Sequence, residues 1–291
     1  MVKKYAVLGG DLRNIFLAKK LQESGATVTL YGANKYEGEK IKESKSLKEA
    51  IQGANYIIGA TPCSNDRENL NTPFSDTTIN MENLFSMMTS EQYFCAGRIG
   101  ENLQELAREY NVQTYDFLER EEMAILNAIP TAEGAVKIAI EETDITLHGS
   151  KIMVIGFGRI GKILCKILSG FSARVYVVVH KEAAYAEAKS YGYKAIMLKD
   201  MNVFLPKMAM IMNTVPKILL NSQNLHLIKK DCFILDLASK PFGIDYECSK
   251  KLNLKVQWAP SLPGKIAAST GAEYIKQAIE SEFKTHTRVL E

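Results

Sequence analysis

Short apolar runs recur along the whole chain, and each run is long enough for one buried strand. Between these runs, apolar residues gather on one side of predicted helices, as at Ile15, Ala18 and Leu21. Strands that alternate with helices in this way are typical of an α/β protein with parallel sheets. The nine predicted strands are 3–8, 28–31, 54–60, 93–96, 152–155, 174–179, 208–212, 232–237 and 255–258.

The turn after the fifth predicted strand carries a glycine pattern with a physical purpose. Gly156, Gly158 and Gly161 form G-x-G-x-x-G between an apolar strand and an apolar-periodic helix. Here the glycines permit a tight turn, close approach of a pyrophosphate and close helix–strand packing. We interpret them, with Arg159 and Ile160 at the start of the helix, as a dinucleotide site. The alternative is a glycine turn without a ligand.

The glycine motif lies in the second of two layers of alternating strands and helices. The spacing predicts two Rossmann-like doubly wound domains with a cleft between them. We place a substrate and catalytic domain at 1–128 plus about 268–291, and a cofactor domain at 129–267. Pro130 is expected to begin the helix that connects them, because proline suits a first helical position. The turn at 9–11 lacks the spaced triad, so we expect no second dinucleotide site.

The tip of the second strand in the cofactor domain predicts which dinucleotide is bound. An NAD site usually has an Asp or Glu about 20 residues after the glycines, where it accepts a hydrogen bond from the ribose 2′-hydroxyl. Here the strand ends in His180 and Lys181. Two potential cations favour a 2′-phosphate and therefore NADP. Glu182 follows directly, and two solvated polar residues are the plain alternative.

Two further strand exits in the cofactor domain carry polar residues. In a doubly wound sheet such exits line the crevice that receives the nicotinamide. The residues expected to contact the cofactor are Asn213, Thr214, Val215, Pro216 and Ala238, and the candidate catalytic residues are Asp236, Ser239 and Lys240. Lys240 is the best candidate for holding a substrate carboxylate, whereas a capped, solvated turn is the alternative.

Residues elsewhere are candidates for binding the substrate. Arg13 follows the first glycine turn, Arg98 follows the fourth strand, and Lys265 follows the last strand. Glu133 is expected in the first turn of the connecting helix beside Thr131, where it either accepts a proton or only complements the helix dipole. We therefore predict Arg13, Arg98, Thr131 and Lys265 as substrate ligands and Glu133 as a catalytic residue.

Composition narrows the classes of partner. With 36 basic and 33 acidic residues the formal charge is +3, which provides no strong field for nucleic acid or an anionic membrane. No apolar run approaches the ~18 residues of a membrane span, so we expect a soluble cytoplasmic protein. Five cysteines form no C-x-x-C and the four histidines add no metal-type spacing. Reduced thiols and no metal site are therefore expected.

Six short motifs, in order, resemble the A-subunit family of bacterial dipicolinate synthase. They are GGDLR at 9–13, PTAEGA at 130–135, GFGRIG at 156–161, NTVP at 213–216, DLASKP at 236–241 and LPGKIA at 262–267. The resemblance implies NADP-linked oxidation of dihydrodipicolinate, or its hydrated precursor, to dipicolinate on a branch from lysine biosynthesis. It also implies sporulation, a cytoplasmic location in the mother cell, and the flavoprotein-like B-subunit of dipicolinate synthase as partner. We further expect a homo-oligomer.

The predicted architecture also resembles the wider group of D-2-hydroxyacid and alanine dehydrogenases. In hydroxyacid dehydrogenases the exit of the last strand carries a catalytic histidine near a proline, but here Pro260 is followed by Ser261, Leu262 and Pro263. The missing imidazole counts against oxidation of a simple hydroxyacid. Two alternatives stay open. One is another NADP-dependent dehydrogenase acting on a 2-oxo or amino acid, and the other is a cofactor-binding subunit that does no chemistry alone.

Overall fold

A computed structural model gives the fold of residues 3–36, 38 and 43–288. The chain forms two compact units. Unit 1 comprises Met1–Leu126 and Ala267–Glu291, and unit 2 comprises Asn127–Ile266. The predicted boundaries, after residues 128 and 267, differ from these limits by two residues and one residue.

The described elements follow one another as alternating strands and helices. In unit 1 they are β1 (Lys4–Leu8), α1 (Leu12–Glu23), β2 (Thr27–Tyr31), α2 (Leu47–Ile51), β3 (Tyr56–Ile58), α3 (Met81–Met87), β4 (Tyr93–Ala96), α4 (Glu101–Glu109) and β5 (Gln113–Asp116). Helix α5 (Glu121–Glu141) then leads from unit 1 into unit 2. In unit 2 they are β6 (Lys151–Ile155), α6 (Arg159–Gly170), β7 (Arg174–Val179), α7 (Glu182–Ser190), β8 (Lys194–Met197), β9 (Met210–Asn213), β10 (Phe233–Asp236), α8 (Tyr246–Lys251), β11 (Lys255–Trp258) and α9 (Leu262–Ile266). Helix α10 (Ala268–Arg288) returns to unit 1.

Unit 1 is a five-stranded parallel sheet between two apolar layers. Its strand order is β2-β1-β3-β4-β5. Helices α3 and α4 contribute to one layer, whereas α1 and α10 contribute to the other. Ala272, Ile275 and Ile279 of α10 are buried in the same cluster as Ile15 and Leu21 of α1. The last helix thus completes the core of the unit in which the chain begins.

Unit 2 is a six-stranded parallel sheet with strand order β11-β10-β9-β6-β7-β8. The first strand of the unit, β6, lies in the middle, with β7 on one side and β9 on the other. Successive strands β7 and β8 are added on one side of β6, and β9, β10 and β11 are added on the other, so the strand order reverses between β6 and β9. In open α/β sheets, ligands bind at the carboxyl ends of the strands beside this reversal. The predicted α/β fold class, with two Rossmann-like parallel sheets, is confirmed.

Two strands were not predicted from the sequence. β5 reads QTYD and β8 reads KAIM, and each lies at an edge of its sheet. An edge strand is less buried than a central one, so it needs no continuous apolar run. The periodicity that identifies the central strands is therefore weak at both edges.

The prediction that Pro130 begins a helix is wrong. Pro130 lies inside α5, nine residues after the helix begins at Glu121. An interior proline removes one hydrogen bond and crowds the preceding turn, at a cost of ~3 kcal/mol. Burial of Met123 and Ala128 before it, and of Ala132 after it, favours a continuous helix and offsets this cost.

Among the helices that the structure describes, α5 alone has the length and hydropathy to cross a membrane. The helix has 21 residues and few charged side chains. The sequence prediction did not recognise this stretch, because charged residues interrupt it. Ala132, Ala135 and Ala139 are fully buried in the core of unit 2. Core packing therefore accounts for this apolar face of the helix.

Candidate functional site

The turn between β6 and α6 is closed by two of the three motif glycines. Gly156 has φ +99°, and a Cβ built on it would lie 2.4 Å from Thr214 Oγ1. A Cβ on Gly161 would lie 2.2 Å from the carbonyl oxygen of Gly156. Both positions exclude any larger residue because of the chain's own packing.

Gly158 is different, because nothing in the chain requires it to be a glycine. Its φ is −87°, which other residues adopt, and a Cβ built on it would meet no atom within 4 Å. Gly158 is also the N-cap of α6, and no side chain caps the N–H groups there. Open space beside uncapped N–H groups fits the diphosphate of a dinucleotide. Arg159 begins α6, and Ile160 packs against the core.

A cavity of about 530 Å³ opens beside this turn. The glycine turn, the end of β7 and the exit of β9 line it, and Ala184, Leu198 and Leu219 add apolar wall. Apolar walls with a few polar groups are typical of a nucleotide-base pocket. Seven of the twelve residues predicted to bind a cofactor line this cavity, namely Gly156, Gly158, His180, Lys181, Thr214, Val215 and Pro216. The other five, Arg159, Ile160, Gly161, Asn213 and Ala238, do not line it.

The ionisable residues that line the cavity are all basic. They are His180 and Lys181 at the end of β7 and Lys217 at the exit of β9. Glu182, the predicted competitor, is exposed in the first turn of α7 and does not line the cavity. The site therefore presents basic groups and no carboxylate to its ligand.

The exit of β9 is held from inside by Asn213. Its side-chain amide donates to the carbonyl of Val215 (2.9 Å) and accepts from the N–H of Val215 (3.2 Å). The same amide donates to Asp236 Oδ1 (2.8 Å). Thr214 Oγ1 donates to the carbonyl of Ile155 (2.9 Å). Asn213 is fully buried, so its side chain shapes the cavity without facing it.

Asp236 is not free to act as a catalyst. Its carboxylate is fully buried and accepts four hydrogen bonds, at 2.8–3.1 Å. The donors are Asn213 Nδ2, the N–H groups of Ala238 and Gly243, and the hydroxyl of Tyr246. Burial, the nearby carboxylate and this hydrogen bond raise the pKa of the Tyr246 hydroxyl, so it stays protonated and donates. We therefore replace the predicted catalytic role of Asp236 with a positioning role.

The loop after β10 carries the other residues predicted at this exit. Both main-chain polar groups of Ala238 are engaged, because its carbonyl accepts from Trp258 Nε1 (3.0 Å) and its N–H donates to Asp236. Only the remaining surface of Ala238 can contact a cofactor. Ser239 and Lys240 follow and are exposed. No ion pair holds Lys240, or Lys265 in α9, within the part of the chain that the structure describes.

In unit 1, Arg13 is buried and already paired. Its guanidinium donates to both oxygens of Asp11 (Nε–Oδ1 2.9 Å, Nη2–Oδ2 2.8 Å) and to the carbonyl of Thr61 (2.7 Å). A Cβ on Gly271 would lie 3.0 Å from Arg13 Cδ, so α10 packs closely on the side chain. Arg13 therefore contributes to the architecture of the β1 and β3 exits, and its predicted substrate role is weakened.

Arg98 combines an exposed side chain with a fixed backbone. Its φ is +58°, which a non-glycine residue seldom adopts. The carboxylate of Asp116 holds this turn by accepting from the N–H groups of Arg98 (3.0 Å), Ile99 (2.6 Å) and Leu118 (2.9 Å). Within the described residues no carboxylate pairs with the Arg98 guanidinium. The exit of β4 thus presents a free cation at the carboxyl edge of the sheet.

The placement predicted for Thr131 and Glu133 is wrong, because the helix begins at Glu121. Glu133 is therefore not in a first helical turn, and its predicted interaction with the helix dipole does not apply. It is exposed and lines a shallow depression with Lys137 and Phe171. Phe171 follows the C-terminal end of α6, the end remote from the glycine turn. The hydroxyl of Thr131 donates to the carbonyl of Asn127 (2.8 Å). We therefore do not propose a role for Thr131 or for the exposed Glu133 in the site.

Gly158→Val tests whether the open space at the glycine turn belongs to a ligand. The backbone accepts a side chain there without a clash, so we expect the variant to fold, with a small fall in melting temperature because valine is a poorer N-cap than glycine. We also expect cofactor binding to fall at least ~100-fold, because the new methyl groups would occupy the phosphate space. Gly170→Ala in the same helix also meets open space and should leave cofactor binding unchanged. Normal binding by a folded Gly158→Val variant, measured by calorimetry, would remove the diphosphate assignment.

Two protein-family models match the chain, one in each half. Residues 4–118 match the model of the N-terminal domain of the dipicolinate synthase A-subunit. Residues 125–239 match the NAD-binding domain of D-isomer specific 2-hydroxyacid dehydrogenases. The second match agrees with the cavity of unit 2 and supports a nicotinamide cofactor and an oxidoreductase.

Whole-chain comparisons agree with the match of the N-terminal half. The chain is 28% identical to the dipicolinate synthase A-subunit of Bacillus subtilis (strain 168), over 95% of this chain and 94% of the relative. The crystal structure of the A-subunit from Bacillus halodurans has a TM-score of 0.87 at 25% identity, covering 96% and 97% of the two chains. The crystal structure of the Bacillus subtilis protein has a TM-score of 0.86 at 27% identity, covering 100% and 98%. The chain is thus similar to the A-subunit of dipicolinate synthase over nearly its whole length, and its N-terminal part matches the N-terminal domain of that family.

Proposed function

We propose that this chain is an NADP-dependent dehydrogenase that oxidises dihydrodipicolinate, or its hydrated precursor, to dipicolinate. One observation carries the proposal. In a chain similar over nearly its whole length to the A-subunit of dipicolinate synthase, the dinucleotide cavity is lined by basic side chains and no acidic one. The relatives' name suggests the product, and the charge of the cavity suggests the phosphorylated cofactor.

The cofactor preference follows from charge. NAD would need an acceptor for its ribose 2′-hydroxyl, and no carboxylate lines the cavity. NADP instead carries a 2′-phosphate, which the ammonium of Lys181 can bind by charge-assisted hydrogen bonds. Gly158 and the uncapped start of α6 would hold the diphosphate, and the apolar walls would hold the adenine.

The reaction converts dihydrodipicolinate and NADP⁺ into dipicolinate, NADPH and one proton, and the hydrated precursor would release one water in addition. A hydride leaves one ring carbon and a proton leaves an adjacent position, so the ring becomes an aromatic pyridine. When bound, the nicotinamide supplies the hydride acceptor. Because aromatisation provides driving force, the protein mainly has to orient the ring and its two carboxylates. No alcohol is deprotonated, so the missing histidine after Pro260 is no obstacle.

Two exposed cations are our first choice for binding the substrate carboxylates. Arg98 offers a planar fork on a rigid turn, which suits bidentate binding of a carboxylate. Lys240, shortly after the end of β10, offers a point charge beside the hydroxyl of Ser239. Lys265 is a further exposed candidate, whereas Arg13 is second in rank because Asp11 already pairs with it.

The setting of the enzyme is also part of the proposal. The name of the relatives suggests a second, different subunit, and we propose the flavoprotein-like B-subunit of dipicolinate synthase for that role. We further propose a homo-oligomeric, cytoplasmic enzyme that acts in the mother cell during sporulation.

The direct test mixes the purified chain with NADP and enzymatically generated dihydrodipicolinate, with and without the partner protein. We expect NADPH and dipicolinate to appear together and in equal amounts in the absence of the partner. Activity only with a 2-oxo or amino acid would replace the substrate. No turnover without the partner, together with normal NADPH binding, would favour a cofactor-binding subunit instead.

Lys181→Asp tests the cofactor preference. Loss of one charge-assisted contact and gain of a repelling carboxylate should weaken NADPH by at least ~10-fold. NADH should bind no more weakly than before, because the new carboxylate can accept from the 2′-hydroxyl. Fluorescence titration of the wild type and the variant with both cofactors measures the ratio. A wild type that prefers NADH would refute the NADP assignment.

Arg98→Ala and Lys240→Ala test the substrate ligands one at a time. Each should lower kcat/KM for dihydrodipicolinate by at least ~10-fold, as expected for a lost charge-assisted contact, while NADPH affinity stays within about twofold. Arg108→Ala in α4 and Lys250→Ala in α8 remove exposed cations remote from the strand exits and serve as matched controls. If both test variants retain near-normal kinetics, the carboxylates bind elsewhere.

A further inference from the structure

Lys217 lines the dinucleotide cavity, although neither the glycine motif nor the tip of β7 points to it. It follows Pro216 at the exit of β9. In the sheet, β9 and β7 lie on opposite sides of β6, which carries the glycine turn. Lys217 and the pair His180–Lys181 therefore approach the cavity from opposite sides of that turn.

The backbone at Lys217 is fixed by the core of unit 2. The N–H of Lys217 donates to the carbonyl of Val215 (2.9 Å). Val215 is itself held at both polar groups by the side chain of Asn213, which is bonded to the buried Asp236. Lys217 is thus an exposed residue on a turn whose backbone is held by buried side chains. The position of its backbone restricts the region at the cavity that its ammonium can reach.

No carboxylate of the described residues forms an ion pair with Lys181 or Lys217. Lys162, in the neighbouring helix α6, provides a contrast. Its ammonium lies 2.7 Å from Glu187 Oε1 and 5.6 Å from the centre of the Phe157 ring. Lys162 is thus paired with a carboxylate of the protein and does not line the cavity. Lys181 and Lys217 line the cavity, and their charges are available to a ligand.

We propose that Lys217 is a second cationic ligand of the adenosine 2′-phosphate, opposite Lys181. The inference rests on the proposed binding of NADP. The adenine needs apolar contacts rather than cations, and the diphosphate has the uncapped N–H groups at Gly158. The 2′-phosphate is the remaining anion, and its two negative charges match two ammonium groups. Cofactor choice is then set jointly by the exits of β7 and β9.

The test uses 2′,5′-ADP and 5′-AMP, which differ only in the 2′-phosphate. Isothermal titration should show that Lys217→Ala weakens 2′,5′-ADP by roughly tenfold and leaves 5′-AMP within about twofold. Lys217→Arg should restore much of the lost affinity. Lys199→Ala removes an exposed lysine near the cavity that does not line it, and should bind both probes as the wild type does.

The outcomes separate this inference from the cofactor assignment. Wild type that binds 5′-AMP as tightly as 2′,5′-ADP would refute NADP binding and this inference with it. If wild type prefers 2′,5′-ADP, but Lys217→Ala matches wild type while Lys181→Ala is weakened, only Lys217 loses its role. Equal weakening of both probes by Lys217→Ala would place the ammonium on the 5′-phosphate or the base and also overturn the inference.

Discussion

The buried carboxylate of Asp236 is the interaction on which the ligand edge of unit 2 depends. A fully buried carboxylate is costly unless hydrogen-bond donors surround it, and here four donors converge from the β9 exit, the β10 exit and α8. Through Asn213 it fixes the turn that presents Lys217, and through Ala238 it fixes the start of the loop that presents Lys240. One residue that touches no ligand thus sets the positions of two cations that we propose do.

In unit 1, too, aspartate side chains hold the backbone at the carboxyl edge of the sheet. Asp116 accepts three main-chain N–H groups and holds Arg98 in a left-handed conformation. Asp11 caps α1 and pairs with the buried guanidinium of Arg13. Acidic residues at the strand exits of both sheets therefore shape the backbone, whereas exposed basic residues are left for anionic ligands. This division fits a substrate with two carboxylates and a cofactor with three phosphates.

The fold was largely predictable because central parallel strands must be apolar on both faces. The edge strands β5 and β8 were not predicted because they are less buried and carry no continuous apolar run. The glycine motif also pointed to the turn beside the cavity of unit 2. The sequence alone could not show that the chain's own packing requires Gly156 and Gly161, whereas nothing in the chain requires Gly158. Other roles depend on contacts between distant residues. From the sequence, Asp236 was predicted to be catalytic because it lies at a strand exit beside Ser239 and Lys240. The residues that donate hydrogen bonds to its carboxylate, such as Tyr246, are brought to it only by the fold. Lys217 carries no motif, and its position follows only from the strand order.

We propose that hydride passes directly from the substrate ring to NADP bound at the glycine turn of unit 2. Dihydrodipicolinate deuterated at its saturated ring carbons tests this most directly, with mass spectrometry of both products after one turnover. We expect one deuterium in each NADPH formed and one dipicolinate for each NADPH. NADPH without deuterium, or dipicolinate formed without NADPH, would contradict the claim.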